Sequence, residues 1–266
     1  MLKKLQKVLS NDVMGRLKVS YDALNDEEQQ MFLDTACFFI GMDKDIACHI
    51  WDGCGFFSQV GLDALCVKSL VTINETNELR MHDQLRDLGR EIVRQENKDD
   101  PGKRSRLWFQ EEVLDVINSK KGTSVVKGLI IDFRHISMSQ CLMSEGFSVM
   151  TGLRLLQVDY AQSFENFTNS FSELRWLSWR GCPDQCALTN FCPQKLVVLY
   201  LSYSKITNNW MCWNYIKVSK NFSLLFIYLF FSYQKSLQKF KFSFSPSKAN
   251  QVTYHICILF CRRQQI

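Results

Sequence analysis

The side chain best placed to do chemistry is His82, which falls where a short hairpin runs into an amphipathic helix. A residue at a helix start lies beside backbone N–H groups that have no partner within the helix, and the helix dipole favours negative charge there. Such a place suits a phosphate. Histidine fits the task because it can donate a hydrogen bond to an anion, and because its charge is adjustable near neutral pH it can also let go. Asp83, next in line, has the side chain of a good N-cap. By chemistry alone, a lone histidine in this setting is more often a satisfied structural residue.

The elements that must position His82 are readable on both sides. Val71–Ile73 and Leu79–Met81 are short β-rich runs joined by the polar Asn74–Glu78, which predicts a hairpin. Leu85, Leu88, Ile92 and Val93 recur at helical spacing and predict a helix over Asp83–Gln95. Upstream, Asp26 is expected to cap a helix whose apolar face carries Met31, Phe32, Thr35, Ala36, Phe38 and Phe39, with Gly41 ending it. Further helices are expected over Lys44–Asp52 and Ser58–Ser69. Three helices followed by a hairpin is winged-helix order, and winged helices often bind DNA.

That alternative, a winged-helix nucleic-acid-binding protein, makes its own demands. The helix before the wing would need several Lys, Arg, Asn or Gln side chains. Ser58–Ser69 reads SQVGLDALCVKS, with one Lys and one Gln, and residues 1–100 carry 12 Lys/Arg against 18 Asp/Glu, a net −6 that repels a polyanion. Arg86, Arg90 and Arg94 line up on one helix face, but Asp83, Asp87 and Glu91 each precede one of them by three residues, the pattern of a solvated, ion-paired face. No nucleic acid is expected as a partner.

Composition sets further limits. The chain has 266 residues, 46% of them apolar, enough for about two domains. Eleven cysteines without a recognisable signal peptide read as reduced thiols of a cytoplasmic protein, with the nucleus as a second location. Cys182, Cys186 and Cys192 cluster without paired CxxC units or a neighbouring His, so no metal site is assigned. The sequons at Asn74, Asn166 and Asn221 carry no weight in that compartment. Residues 101–266 hold 20 basic and 9 acidic residues, and no acid follows Asp184.

Three motifs in order, YDALNDEEQQMFLDTACFFIG (Tyr21–Gly41), Met81-His82-Asp83 with LRDLGREIVRQE after it, and PGKRSRLW (Pro101–Trp108), resemble the closing part of the nucleotide-binding module of plant TIR-type nucleotide-binding leucine-rich-repeat immune receptors. The resemblance implies that residues 1–100 form the winged-helix (ARC2-like) domain. It further implies that His82 contacts the β-phosphate of bound ADP and holds the receptor at rest, with Asp83 as local brace and Met81 packed beneath. No G-x-x-x-x-G-K-[S/T] loop occurs in the chain, so the phosphate cradle and the Mg²⁺ hydroxyl must come from elsewhere. The family pattern places those parts, and the TIR domain with its NAD-cleaving activity, upstream. The chain by itself is therefore expected not to be an enzyme, and ADP is expected only with the nucleotide-binding domain of a full-length receptor or another receptor chain as partner.

Beyond the domain, Asn97–Lys127 reads as a connector. Its Lys103, Arg104 and Arg106 suit a solvated or ion-paired surface better than a nucleic-acid patch, and a short helix is expected over Glu111–Asn118. The unit L-x-x-L-x-[apolar] begins at Leu153, Leu174 and Leu196, 21 and 22 residues apart, the spacing of leucine-rich repeats. A strand over Val126–Phe133 should begin the stack. Phe222–Phe231 is apolar over ten residues, too short to span a membrane as a helix, and reads as a buried strand or an aggregation-prone segment. The expected fold class is mainly α with an α/β repeat part: a winged-helix domain (1–100), a connector (101–127), a short leucine-rich-repeat solenoid stub (128–206), and an irregular, intron-like or disordered tail (207–266).

Overall fold

A computed structural model describes residues 14–134, 142–161, 164–165, 171–182, 195–204, 224–231 and 253–260. The chain forms two compact units, Met1–Asp100 and Pro101–Ile266.

In the first unit a helix over residues 14–22 (α1) leads to α2 (Asp26–Asp34), α3 (Lys44–Gly53) and α4 (Ser58–Val67), then to the antiparallel pair β1 (Thr72–Ile73) and β2 (Leu79–Arg80), and finally to α5 (Asp83–Glu96). Apolar side chains from every helix meet at one centre, where Met31, Phe32, Phe39, Ile50, Trp51 and Leu65 are fully buried. Tyr21 tilts on Phe32 at 5.4 Å and Phe39 on Trp51 at 5.5 Å between ring centres, a favoured aromatic arrangement. The Trp51 indole N–H donates to the buried Asp34 carboxylate at 3.1 Å, which removes a polar orphan from the core.

Two details of this unit differ from the sequence expectation. The cap of α2 is Asn25 rather than Asp26: Asn25 Oδ1 accepts from Glu28 N at 2.9 Å while the Glu28 carboxylate accepts from Asn25 N at 3.1 Å, a reciprocal capping box that Asp26, one residue inside the helix, cannot form. The α-helical hydrogen bonding also stops at Asp34 and gives way to a π-helical turn over Thr35–Phe39. Here the carbonyl of Ala36 accepts from Arg90 Nε of α5 at 3.2 Å, and Thr35 Oγ1 donates back to Met31 O at 2.8 Å. Helix α5 comes down on this wide turn at Gly89, where an added Cβ would lie 2.6 Å from Ala36 Cβ. Gly41 follows the turn with φ +84, a value glycine reaches at no steric cost.

The second unit opens with a 3₁₀ turn at Pro101–Lys103, followed by β3 (Arg106–Leu107), α6 (Gln110–Asn118), β4 (Gly128–Asp132), β5 (Leu142–Met143), α7 (Ser144–Ser148), β6 (Leu155–Asp159), β7 (Phe164–Glu165), β8 (Trp176–Arg180), β9 (Val198–Ser202), β10 (Leu224–Phe231) and β11 (Thr253–Phe260). Seven of the strands form one parallel sheet in the order β11-β10-β9-β8-β6-β4-β3. Each L-x-x-L-x-[apolar] unit supplies one strand, and equivalent residues are in register, Leu156 with Leu177 and Leu177 with Leu199. Their leucines share a single core with α6 and α7. The residue after each of these strands turns left-handed: Tyr160, Gly181 and Tyr203 have φ of +58, +68 and +54. At Gly181 a side chain is also sterically barred, because a Cβ would approach the Tyr160 ring to 2.5 Å.

The architecture is mixed helix and parallel sheet: the helical, hairpin-bearing first unit is as expected, and the second unit carries a seven-stranded parallel sheet. In the tail, the strand expected within Phe222–Phe231 is present, and residues 253–260 add a second one that the sequence reading did not assign. Residues 224–231 and 253–260 are parallel strands that extend the sheet from the open edge of β9, where a run of aromatic and branched residues can continue the ladder. The remaining positions of 207–266 lie outside the described residues. Within the connector, Arg104 and Arg106 are buried rather than solvated. Arg104 Nη1 donates to both Glu112 carboxylate oxygens at 3.0 Å, and Arg106 Nη1 donates to Ser105 Oγ at 2.9 Å. Both arginines support structure, as the sequence pattern favoured.

Candidate functional site

The hairpin that delivers His82 is fastened at its tip and its base. Asn74 Oδ1 accepts from Thr76 N and Glu78 N, closing the loop, and Asn77 takes the left-handed φ of +63 that asparagine tolerates. Asn77 Nδ2 then reaches Asp43 and Asp45 at 3.1 and 3.0 Å, which ties the tip to the start of α3. At the base, Leu79 N donates to Met42 O at 2.8 Å, and Gly41 N donates to Leu79 O at 2.8 Å. The Asn74 amide, with Arg80 alongside, holds the Glu78 carboxyl below the usual carboxylate range. Met81, partly buried, is the last residue before the helix.

His82 itself is the N-cap of α5, with extended backbone (φ −64, ψ 143), and its ring Nδ1 accepts from Gln84 N at 3.2 Å. The expectation that Asp83 caps this helix is corrected. Asp83 is already inside the first turn, where its carboxylate cannot fold back onto the N-terminal amides, and it pairs with Arg86 Nη1 at 2.7 Å instead. The consequence for chemistry is direct. With Nδ1 used as an acceptor, a neutral ring carries its proton on Nε2. His82 is exposed, so Nε2–H is a donor that a ligand can reach. A phosphate meeting this surface would find that donor beside the first-turn amides of a 14-residue helix.

The arginines of α5 separate into different roles. Arg86 bridges Asp83 and Asp87, the latter at 2.9 Å, and Arg94 lies 3.9 Å from Glu91, as a solvated face requires. Arg90 does not join them. It turns inward to the Ala36 carbonyl, and burial pushes its guanidinium below its ordinary pKa. Sequence spacing placed Arg90 on the outer stripe; the signal that would have found it is Gly89, whose missing side chain lets the two helices approach closely enough for Arg90 to reach across. Gln84, whose backbone N–H fixes the His82 tautomer, carried no signal in its side chain.

Other sites considered in the sequence do not gather. Among the described residues no group of His, Cys, Asp and Glu could hold a metal. Cys182 is buried, and Cys186 and Cys192 lie outside the described residues. Among the described residues, no helix is long and apolar enough to cross a membrane. The outward side of α4, where a DNA-reading helix would carry its donors, exposes Val60 and Val67.

Three packed helices closed by a hairpin wing, with a further helix capped by the residue that leaves the wing, define a winged-helix domain whose third helix lacks the donors for reading a duplex. Residues 25–97 match the family described as the winged-helix domain of Roq1-like disease resistance proteins. Relatives extend over most of the chain: disease resistance protein RUN1 of Vitis rotundifolia is 33% identical over 234 residues, covering 77% of this chain and 17% of the relative. RRS1B of Arabidopsis thaliana is 33% identical over 218 residues, covering 73% and 16%, and TMV resistance protein N of Nicotiana glutinosa is 32% identical over 200 residues, covering 74% and 17%. The chain therefore carries the winged-helix domain of plant disease resistance proteins and is about one-third identical to such proteins over about three-quarters of its own length, while spanning about one-sixth of the length of the relatives it matches.

Proposed function

We propose that this chain is the regulatory segment of an intracellular plant immune receptor, and that its winged-helix domain acts as an ADP-linked switch in defence signalling. His82 donates from Nε2 to the β-phosphate of ADP held by a nucleotide-binding domain, and Asp83 braces the turn through Arg86. The observation that carries this reading is the orientation of the imidazole, with Nδ1 turned in to Gln84 N and the rest of the ring exposed. A ring sunk in the apolar core would have left only a structural role. The partner is the nucleotide-binding domain of the same receptor or of another receptor chain. The chain needs no catalytic group for this task, and the cytoplasm is where such a receptor meets ADP.

The parallel sheet of the second unit is read as the opening of a leucine-rich-repeat solenoid, supported by one strand per repeat, the spacing of 21 and 22 residues, and the shared leucine core. The test of the switch is association. The full chain is mixed with a separately expressed nucleotide-binding domain from a relative, and ADP retained by the complex is measured for the parent and for His82→Ala. Loss of ADP with complex formation intact supports the role given to His82; equal retention removes it.

A further inference from the structure

Helix α4 presents an apolar stripe on the surface where a DNA-binding winged helix would present basic side chains. Phe57 at its cap, Val60 and Val67 are 76%, 69% and 85% exposed, and with Ala64 they follow a spacing of three, four and three residues that keeps them on one face. Acids border the N-terminal part of the stripe. Glu27 accepts from Phe57 N at 3.1 Å, Asp52 accepts from Ser58 N at 3.3 Å, and Asp63 accepts from Gln59 Nε2 at 2.9 Å. Lys68 is the one cation in the residues that immediately follow the helix.

We propose that this face docks an amphipathic helix whose apolar residues are flanked by lysine or arginine. A duplex is disfavoured by the apolar side chains and by the net −6 of residues 1–100. A second copy of the chain is disfavoured as well. It would bring like-charged domains together, and four side chains offer a few hundred Å², short of the roughly 800 Å² per partner of a stable dimer. A small stripe with an acidic border suits a helix of opposite charge, delivered at high effective concentration when it is tethered.

The experiment uses the full chain and a synthetic helical peptide with leucines at i, i+3 and i+7 and lysines beside them, followed by fluorescence anisotropy. The parent binds, and added salt weakens the complex. Val60→Asp and Val67→Asp each lower the affinity by about tenfold or more, since each removes a buried branched side chain from the contact. Val19→Asp, at an equally exposed valine of α1, leaves it unchanged. The valine variants discriminate sharply because they make the stripe more acidic: adsorption driven by charge alone would be strengthened by them, and that result overturns the proposal. So does equal binding of a peptide with glutamates in place of the lysines, or a parent dimer that Val60→Asp converts to monomer. His82→Ala binds the peptide like the parent, so failure here and failure of the ADP reading are separate outcomes.

Discussion

Substitutions at His82 separate its two bonds. His82→Ala removes the ring acceptor for Gln84 N. Losing an N-cap acceptor costs typically about 1 kcal/mol, and an exposed bond of 3.2 Å belongs at the lower end, about 0.5 kcal/mol. For a domain of this size that lowers the melting temperature by about 2–4 °C. His82→Asn restores a side-chain oxygen at the cap, and asparagine is among the preferred residues there, so its melting temperature equals or exceeds that of the parent. ADP retention by the complex with a nucleotide-binding domain follows the opposite rule. A hydrogen bond to a charged group contributes about 1.5–3 kcal/mol, so loss of Nε2–H releases ADP about tenfold to a hundredfold faster in both variants. His82→Asp is the extreme case, well capped and favoured by the helix dipole, yet repelled by the phosphate. Thermal unfolding by circular dichroism and ADP dissociation from the complex give the two readouts. If His82→Asn holds ADP as long as the parent does, the imidazole is a cap and nothing more.

Three further outcomes follow from packing and charge. Gly89→Ala gains helix propensity but forces a Cβ to within 2.6 Å of Ala36 Cβ, so chemical denaturation should show a net loss of about 1–2 kcal/mol; a gain would mean that α5 does not rest on the π-helical turn. Glu112→Ala leaves the buried Arg104 without its bidentate partner and should cost about 3 kcal/mol in the same assay, near the low end for such pairs because Glu112 is 31% exposed. Asp159→Asn should raise the melting temperature at neutral pH. Burial pushes the Asp159 carboxyl above its ordinary value and Oδ1 has no hydrogen-bond partner, so the folded state holds this proton more tightly than the unfolded one. The parent's stability therefore falls as pH rises from the ordinary carboxyl range through the raised folded value. The advantage of the variant is absent in acid, where both states hold the proton; a parent that gains stability over that rise would contradict the assignment.

Much of the first unit was legible because local signals agreed with tertiary ones. The helices at Lys44 and Ser58, the hairpin between Val71 and Met81, and the helix from Asp83 were all visible in spacing and turn residues. The caps were each misread by one residue. Asn25 and Asp26 are both suitable by type, whereas His82 is an uncommon cap beside the well-suited Asp83, and in each pair what selects is which residue keeps an extended backbone while its side chain folds back over the first turn. The π-helical turn was not legible because TACFF carries no local mark; it exists through its fit to α5, with Gly89 and Arg90 contributed from more than 50 positions away. The burial of Arg104 and Arg106 was hidden for a similar reason, since a basic cluster looks solvated until Glu112 and Ser105 are brought to it. Of the last strands, Leu224–Phe231 was legible in its apolar run, whereas Thr253–Phe260 was not, because the acid-free sequence around it carries no repeat spacing.

The most direct test of the switch is the contact between His82 and the nucleotide. In a complex of the full chain with a nucleotide-binding domain and ADP, nuclear magnetic resonance of ¹⁵N-labelled histidine should show Nδ1 without a proton and Nε2–H donating to a β-phosphate oxygen, seen as a correlation from Nε2 to the β-phosphorus. A correlation from Nδ1 instead, or a ring whose signals are the same with and without ADP, would contradict the account.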